Sequence, residues 1–227
     1  MKHLLCLAGL IVVSAILVVS GFSRTIVESA AQDPRPDIDN QWVRVFRESL
    51  RPHVQSATRQ HPATVVVYLS DAHERLLRRD GSAKDVRRKH GEVTYVEAGA
   101  YAVENASNTT INAVVIELKD QSGRPTSAPL TLDPVKLDAK HHPVLLDNER
   151  VRVLHTILVP HRKSPLHEHP HYVVVYLTEL HTTQALPDGR LIDNPRVAGE
   201  IAWKDATTHV TENVGERTAE EIQVELK

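Results

Sequence analysis

The chain repeats itself at a fixed interval. Asp39-Asn40 recurs as Asp147-Asn148, His61-Pro62 as His169-Pro170 and Leu69 as Leu177, each pair 108 residues apart. Pro52-His53 and Pro160-His161, His73 and His181, Gly91-Glu92 and Gly199-Glu200, and Glu104-Asn105 and Glu212-Asn213 keep the same offset. So do the ends, Glu117-Leu118-Lys119 and Glu225-Leu226-Lys227, and roughly 30 of the 81 paired positions are identical without a gap. Chance does not hold register over that length. Residues 39–119 and 147–227 are two copies of one unit, and any fold that suits one must suit the other.

Each copy reads as all-β. Val43-Arg44-Val45 and Val151-Arg152-Val153 alternate apolar and charged residues, the pattern of a half-buried strand. Val65–Leu69 and Val173–Leu177 are β-branched and aromatic runs, apolar on both faces. Asp80-Gly81 and Asp188-Gly189 are hairpin turns of the Asp-Gly kind. No window of a dozen residues carries a helical stripe outside the N-terminal segment. Short strands with a turn signal about every 10 residues argue for one β-sandwich or small barrel per copy.

The flanking segments are of other kinds. Lys2 and His3 precede an apolar run from Leu4 to Val19, then Ser20, Gly21, Ser23 and Arg24. That run is shorter than the roughly 20 residues of a spanning helix and reads as a secretory signal over 1–23, with an uncleaved membrane anchor as the alternative. Export to the periplasm or the cell exterior is the expectation. The single cysteine, Cys6, lies inside this segment, so residues 24–227 hold neither a disulfide nor a thiol. Residues 24–38 form a polar lead-in, and 120–146 a Pro-bearing connection. Lys plus Arg, 27, nearly balance Asp plus Glu, 29, which leaves no broad basic field for nucleic acid.

Histidine is where the copies part. Of 14 histidines, nine lie at or after His141. The second copy writes His167-Glu-His169-Pro-His171 ahead of its apolar run, and the first writes Arg59-Gln-His61-Pro-Ala63. Residues two apart on a strand share a face, so His167, His169, His171, Val173 and Val175 are expected to point one way. Two or more converging imidazoles suit a transition metal. A strict strand sets His167 and His171 about 13 Å apart, too far to share one ion unless the chain bends at Pro170. Arginine offers no lone pair, so the first copy cannot build the same site.

The order of these features resembles the cupin superfamily. Its two boxes correspond here to His167-Glu168-His169 and to the stretch from Gly199 through His209 to Asn213. Both copies take part, so the chain looks like a bicupin: two tandem cupin-type β-barrels, or jelly rolls. The usual first box carries a glutamate four positions after its second histidine, where this chain has Val173. The Pro and Gly usual before the last histidine are Asp205 and Thr207. The resemblance implies that His209 enters from a neighbouring strand to join His167 and His169 as metal ligands. His171 stands as a further candidate, in place of the absent glutamate. The implied cofactor is a divalent transition metal: Fe, Mn, Zn, Ni or Cu. At the equivalents of His167, His169, His171 and His209 the first copy has Arg59, His61, Ala63 and Tyr101, either plain core or an anion pocket on Arg59 and Tyr101.

Three functions remain open on the sequence. One is an exported metalloenzyme, a dioxygenase, isomerase or hydrolase, acting through the second barrel on a small molecule, with an anion favoured by the metal's charge. Another is a non-enzymatic protein that holds a small ligand or a metal. The third is a scaffold whose two-faced apolar strands pack barrel on barrel or form a homodimer. His141 and His142 just precede the first strand of copy two and fall in the connection, either apart from the expected ligand set or reaching the site from there. His73 and His181 stand in both copies and read as structural. Glu168 and Glu212 face away from the inferred interior, and Asn105 and Asn108 each open a glycosylation triplet.

Overall fold

The computed structural model describes residues 35–120 and 129–227. The signal segment 1–23, with Cys6, most of the lead-in and 121–128 of the connection lie outside the described residues. Among the described residues, no helix is long and apolar enough to cross a membrane.

The first copy forms β1 (Ile38–Asp39), β2 (Val43–Leu50), β3 (Arg59–His61), β4 (Thr64–Tyr68), β5 (Ala72–Arg78), β6 (Ala83–Arg88), β7 (Val93–Val96), β8 (Gly99–Asn105) and β9 (Ile111–Leu118). They build two sheets, β1-β2-β9-β4-β7 and β3-β8-β5-β6, which close over one another as a barrel. A short helix α1 (Pro134–Asp138) lies in the connection. The second copy repeats the plan with β10 (Val144–Asp147), β11 (Val151–Leu158), β12 (His167–His169), β13 (Tyr172–Tyr176), β14 (Leu180–Ala185), β15 (Leu191–Arg196), β16 (Ile201–Lys204), β17 (Thr207–Asn213) and β18 (Ala219–Leu226). Its sheets are β10-β11-β18-β13-β16 and β12-β17-β14-β15. The fold is two tandem jelly-roll barrels.

Local chemistry explains the corners. Gly81 and Gly189 take φ +82° and +86°, and Asp80 and Asp188 accept a bond from the backbone two residues on, which closes both β-hairpins. Asn105 and Asn213, both buried, each donate to two carbonyls, Leu50 and Thr109 in one barrel and Leu158 and Arg217 in the other. These repeated residues belong to the fold.

The two five-stranded sheets face each other across an apolar layer. Val43, Val45, Val65, Val67, Val114, Ile116 and Leu118 of the first copy meet Val151, Val153, Val173, Val175, Ile222, Val224 and Leu226, the same positions 108 residues on. This is why the runs at Val65 and Val173 are apolar on both faces: alternate residues fill the barrel and the inter-barrel layer. A dyad-like reciprocity runs through the layer. A side chain at Gly91 would meet Leu177, and one at Gly199 would meet Leu69.

Candidate metal centre

The interior of the second barrel is built row by row from strand register. On the five-stranded sheet Lys204, Tyr172, Glu225 and Arg152 stand in one row, and Ala202, Val174, Gln223 and Leu154 in the next. On the opposite sheet His167 pairs with His209, and His169 with Thr207. His167, His169 and His209 are each only 2% exposed. One ring nitrogen from each lies within 4.8 Å of the others.

Two of the rings are aimed by their second nitrogen. The Nδ1 of His169 lies 2.7 Å from Glu225 Oε1, and that of His167 2.8 Å from the Pro165 carbonyl. A neutral imidazole that donates from Nδ1 keeps a lone pair on Nε2. The Nε2 atoms of His167 and His209 are 3.1 Å apart, and the buried Nε2 of His169 has no hydrogen-bond partner among the described residues. Two nitrogens bound tetrahedrally at about 2.05 Å from one ion stand about 3.3 Å apart, so this spacing fits a metal. Burial lowers all three pKa values, to about 2 for His209, so the rings stay neutral and able to ligate.

Glu225 is itself held. Arg152 reaches it at 2.6 Å and also bonds both oxygens of Asp133 at 3.0 and 3.1 Å. Burial pushes the Glu225 carboxyl up and Arg152 pulls it back, as expected of a carboxylate fixed for orientation. Asp133 also caps α1 by accepting from Val135 N. The connection is therefore fastened to the site: Glu168, on the outer face of β12, accepts from the backbones of Thr131 and Leu132. Past α1, His142 is 1% exposed, bonds the Asp138 carbonyl, and sets its ring 5.4 Å from that of His167. His142 thus adjoins the centre as a fourth imidazole. Of the two readings open for it, in the connection alone or reaching the site from there, the structure shows the second, with α1 carrying the ring to His167.

His171 goes elsewhere. The chain changes sheets at Pro170-His171, because β12 and β13 belong to different sheets, and the alternation slips by one residue. Tyr172, Val174 and Tyr176 fill the barrel, while Val173 and Val175 join the inter-barrel layer. The expected common face of His167, His169, His171, Val173 and Val175 is therefore corrected. His171 lies between Trp42 and Trp203, at 5.0 and 5.6 Å between ring centroids, and its Nδ1 accepts from Ala206 N. The structure brings His167, His169 and His209 together and leaves His171 outside.

The remaining candidates are placed by simple pairings. His73 and His181 bond Asp85 and Asp193, equivalent pairs on the outer edges of the two barrels. His141 bonds Asp138, and Glu212 faces Lys163. Glu225, which holds His169, had gone unremarked as a site residue. The trio of Arg152, His169 and Glu225 recurs in the first copy as Arg44, His61 and Glu117, but recurrence alone does not say that Glu225 meets His169.

No family model matches the sequence, and no curated protein matches it. Solved structures do resemble the fold. AerE from Microcystis aeruginosa superposes at TM-score 0.60 and 14% identity, covering 85% of this chain and 96% of its own. The oxalate decarboxylase of Bacillus subtilis gives 0.57 and 11%, covering 81% and 68%. That of Lactobacillus farciminis, in a formate complex, gives 0.57 and 10%, covering 81% and 76%.

Proposed function

Starting from a chain with the fold of a tandem cupin, we propose that its second barrel is a metal centre serving a small-molecule enzyme. His167, His169 and His209 would hold one divalent transition metal through Nε2. The observation that carries this reading is the buried Nε2 of His169, which has no hydrogen-bond partner among the described residues and is aimed by Glu225 at the other two rings. Bound there, such an ion would supply Lewis acidity and open positions for water, dioxygen or a substrate oxygen.

The chain's own residues suit an anion at those positions. Three neutral ligands leave the full charge of the metal uncompensated, and Lys204 adds a cation on the wall near His209. Tyr172 covers His169, with ring centroids 4.8 Å apart, and keeps water from one side. Dioxygenation, isomerisation and hydrolysis are the reaction classes compatible with such a centre, and fold alone does not choose among them. We also place the protein outside the cytoplasm, on the signal-like segment 1–23.

Metal analysis of protein purified without chelators tests the reading. Wild type is expected to carry close to one equivalent of Fe, Mn, Zn, Ni or Cu, and His169→Ala to lose it. His61→Ala, the equivalent change in the first barrel, is expected to leave metal content unchanged. A metal-free wild type, or equal loss in both variants, would overturn the assignment.

A further inference from the structure

The first barrel is not packed solid. It encloses a cavity of about 190 Å³, and a cavity of about 150 Å³ is enough to take a benzene ring. Repeat positions show what changed around the space. Gln184, Asn194, Lys204, Thr211 and Gln223 of the second barrel are replaced by Leu76, Val86, Val96, Val103 and Val115, all of which line the cavity. At each of these positions a polar side chain has given way to an aliphatic one. A barrel decaying into inert core would close over such residues. Here Val66, Val103 and Val115 are half-buried, whereas Val174, Thr211 and Gln223, at the same positions of the second barrel, are buried. The apolar wall stays open to the space it encloses.

Register gathers these side chains into a belt. On the five-stranded sheet Val66 pairs with Val115, and on the four-stranded sheet Leu76 pairs with Val103. Val96 lies one row nearer the end where the second barrel carries its histidines, and Val86 one row farther from it. The charged groups of the lining answer one another or the solvent. The Arg59 charge acts on Glu48, and Tyr68 Oη donates to Glu74 Oε2 at 2.8 Å. Arg78, Lys84 and Glu97 are exposed. His61 is different. Its Nε2 is, among the described residues, the one buried side-chain atom of the lining without a hydrogen-bond partner. Tyr101 stacks on the His61 ring at 4.0 Å between centroids, which fixes its plane. Burial and the Arg59 charge lower its pKa, so the imidazole is neutral.

We propose that the first barrel binds a small uncharged hydroxyl compound of the phenol class, with its ring in the aliphatic belt and its hydroxyl on His61 Nε2. The volume admits one such ring. A hydroxyl both donates and accepts, so it satisfies the nitrogen in either neutral tautomer. The belt favours a ligand whose apolar surface leaves water on binding. A carboxylate or an ammonium would lose its hydration among these aliphatic groups. The site shares no residue with the metal centre and goes beyond the reading of the second barrel.

The test is calorimetric titration of the full chain with phenol, toluene and benzoate, each built on one ring. Saturable binding of phenol is expected, with toluene and benzoate each about tenfold or more weaker, the scale of one buried hydrogen bond or a desolvated charge. Val115→Gln, which restores the residue of the second barrel, should fill the cavity and weaken phenol by about tenfold or more. His61→Leu should bring phenol down to the affinity of toluene. Circular dichroism reports that both variants fold. His169→Ala should bind phenol as wild type does, which separates this site from phenol held at the metal centre. Toluene or benzoate binding as tightly as phenol overturns the proposal. So does an unchanged phenol affinity in Val115→Gln or His61→Leu, a loss in His169→Ala, or no binding of phenol at all.

Discussion

Glu225 separates an orienting role from a ligating one. It touches no open face of the centre, yet it fixes the tautomer and direction of His169, and carboxylates so placed contribute about 10–100-fold in metal affinity. Glu225→Gln keeps the size and loses the charge, so a chelator competition titration should show metal held about 10–100-fold more weakly, with the fold intact. The histidines also make a pH prediction. Their folded pKa values lie below the unfolded 6.5, so the unfolded chain binds more protons as pH falls. The stability they contribute is fully present above about 6.5 and is lost on the way down toward about 2 for His209. Glu74 and Glu221, pushed up by burial, act in the opposite sense at acid pH. The difference between proteins is therefore the readout: metal-free His209→Gln should lose less thermal stability than metal-free wild type when the pH falls from about 7 to about 5. Equal losses would refute the assignment. One residue-level use is closed by the geometry. Asn105 spends its buried side-chain amide on two carbonyls, so in the folded protein only Asn108, which is exposed, presents a glycosylation triplet.

Elements show what the sequence could and could not tell. The hairpins at Asp80-Gly81 and Asp188-Gly189 and the apolar strands were legible, because their signals are local: a turn residue, a period of two. The phase of the strand holding the histidines was not. His167 to Tyr176 reads as one alternating run, but Pro170-His171 is a corner between sheets, and a corner is set by which partners each half finds across the barrel. The triad itself was recoverable by family likeness, whereas Glu225 required knowing that β18 lies beside β13. The glycines at element ends give a graded test. Gly91 and Gly81 both hold positive φ, +81° and +82°, so alanine at either costs about 1–2 kcal/mol in backbone strain. A Cβ at Gly91 would also come 3.1 Å from Leu177 of the other copy, whereas at Gly81 it meets nothing within 4 Å. Gly91→Ala should therefore be the more destabilising in urea denaturation, and equal costs would deny that this contact is tight.

At the scale of the whole molecule, the apolar layer ties the barrels together. Ile222 is 0% exposed there, and Ile222→Ala should cost about 2–5 kcal/mol. Because both barrels share that layer, one unfolding transition is expected, with tyrosine and tryptophan signals from both copies moving together. Two separated transitions would show that the barrels stand independently. The layer is also self-complementary, each copy presenting the patch that the other receives, which is how a symmetric pair of separate subunits would associate. Joined in one chain, such a pair no longer depends on dilution, since the partner is always at hand. Joining also lifts the bond of symmetry. In a pair of identical subunits every substitution appears twice, whereas here the His-x-His corner can persist in one half while the other keeps only His61 of that set, with Arg59 and Tyr101 lining its cavity at the changed positions. Two pockets of different chemistry can then rest on one inherited surface.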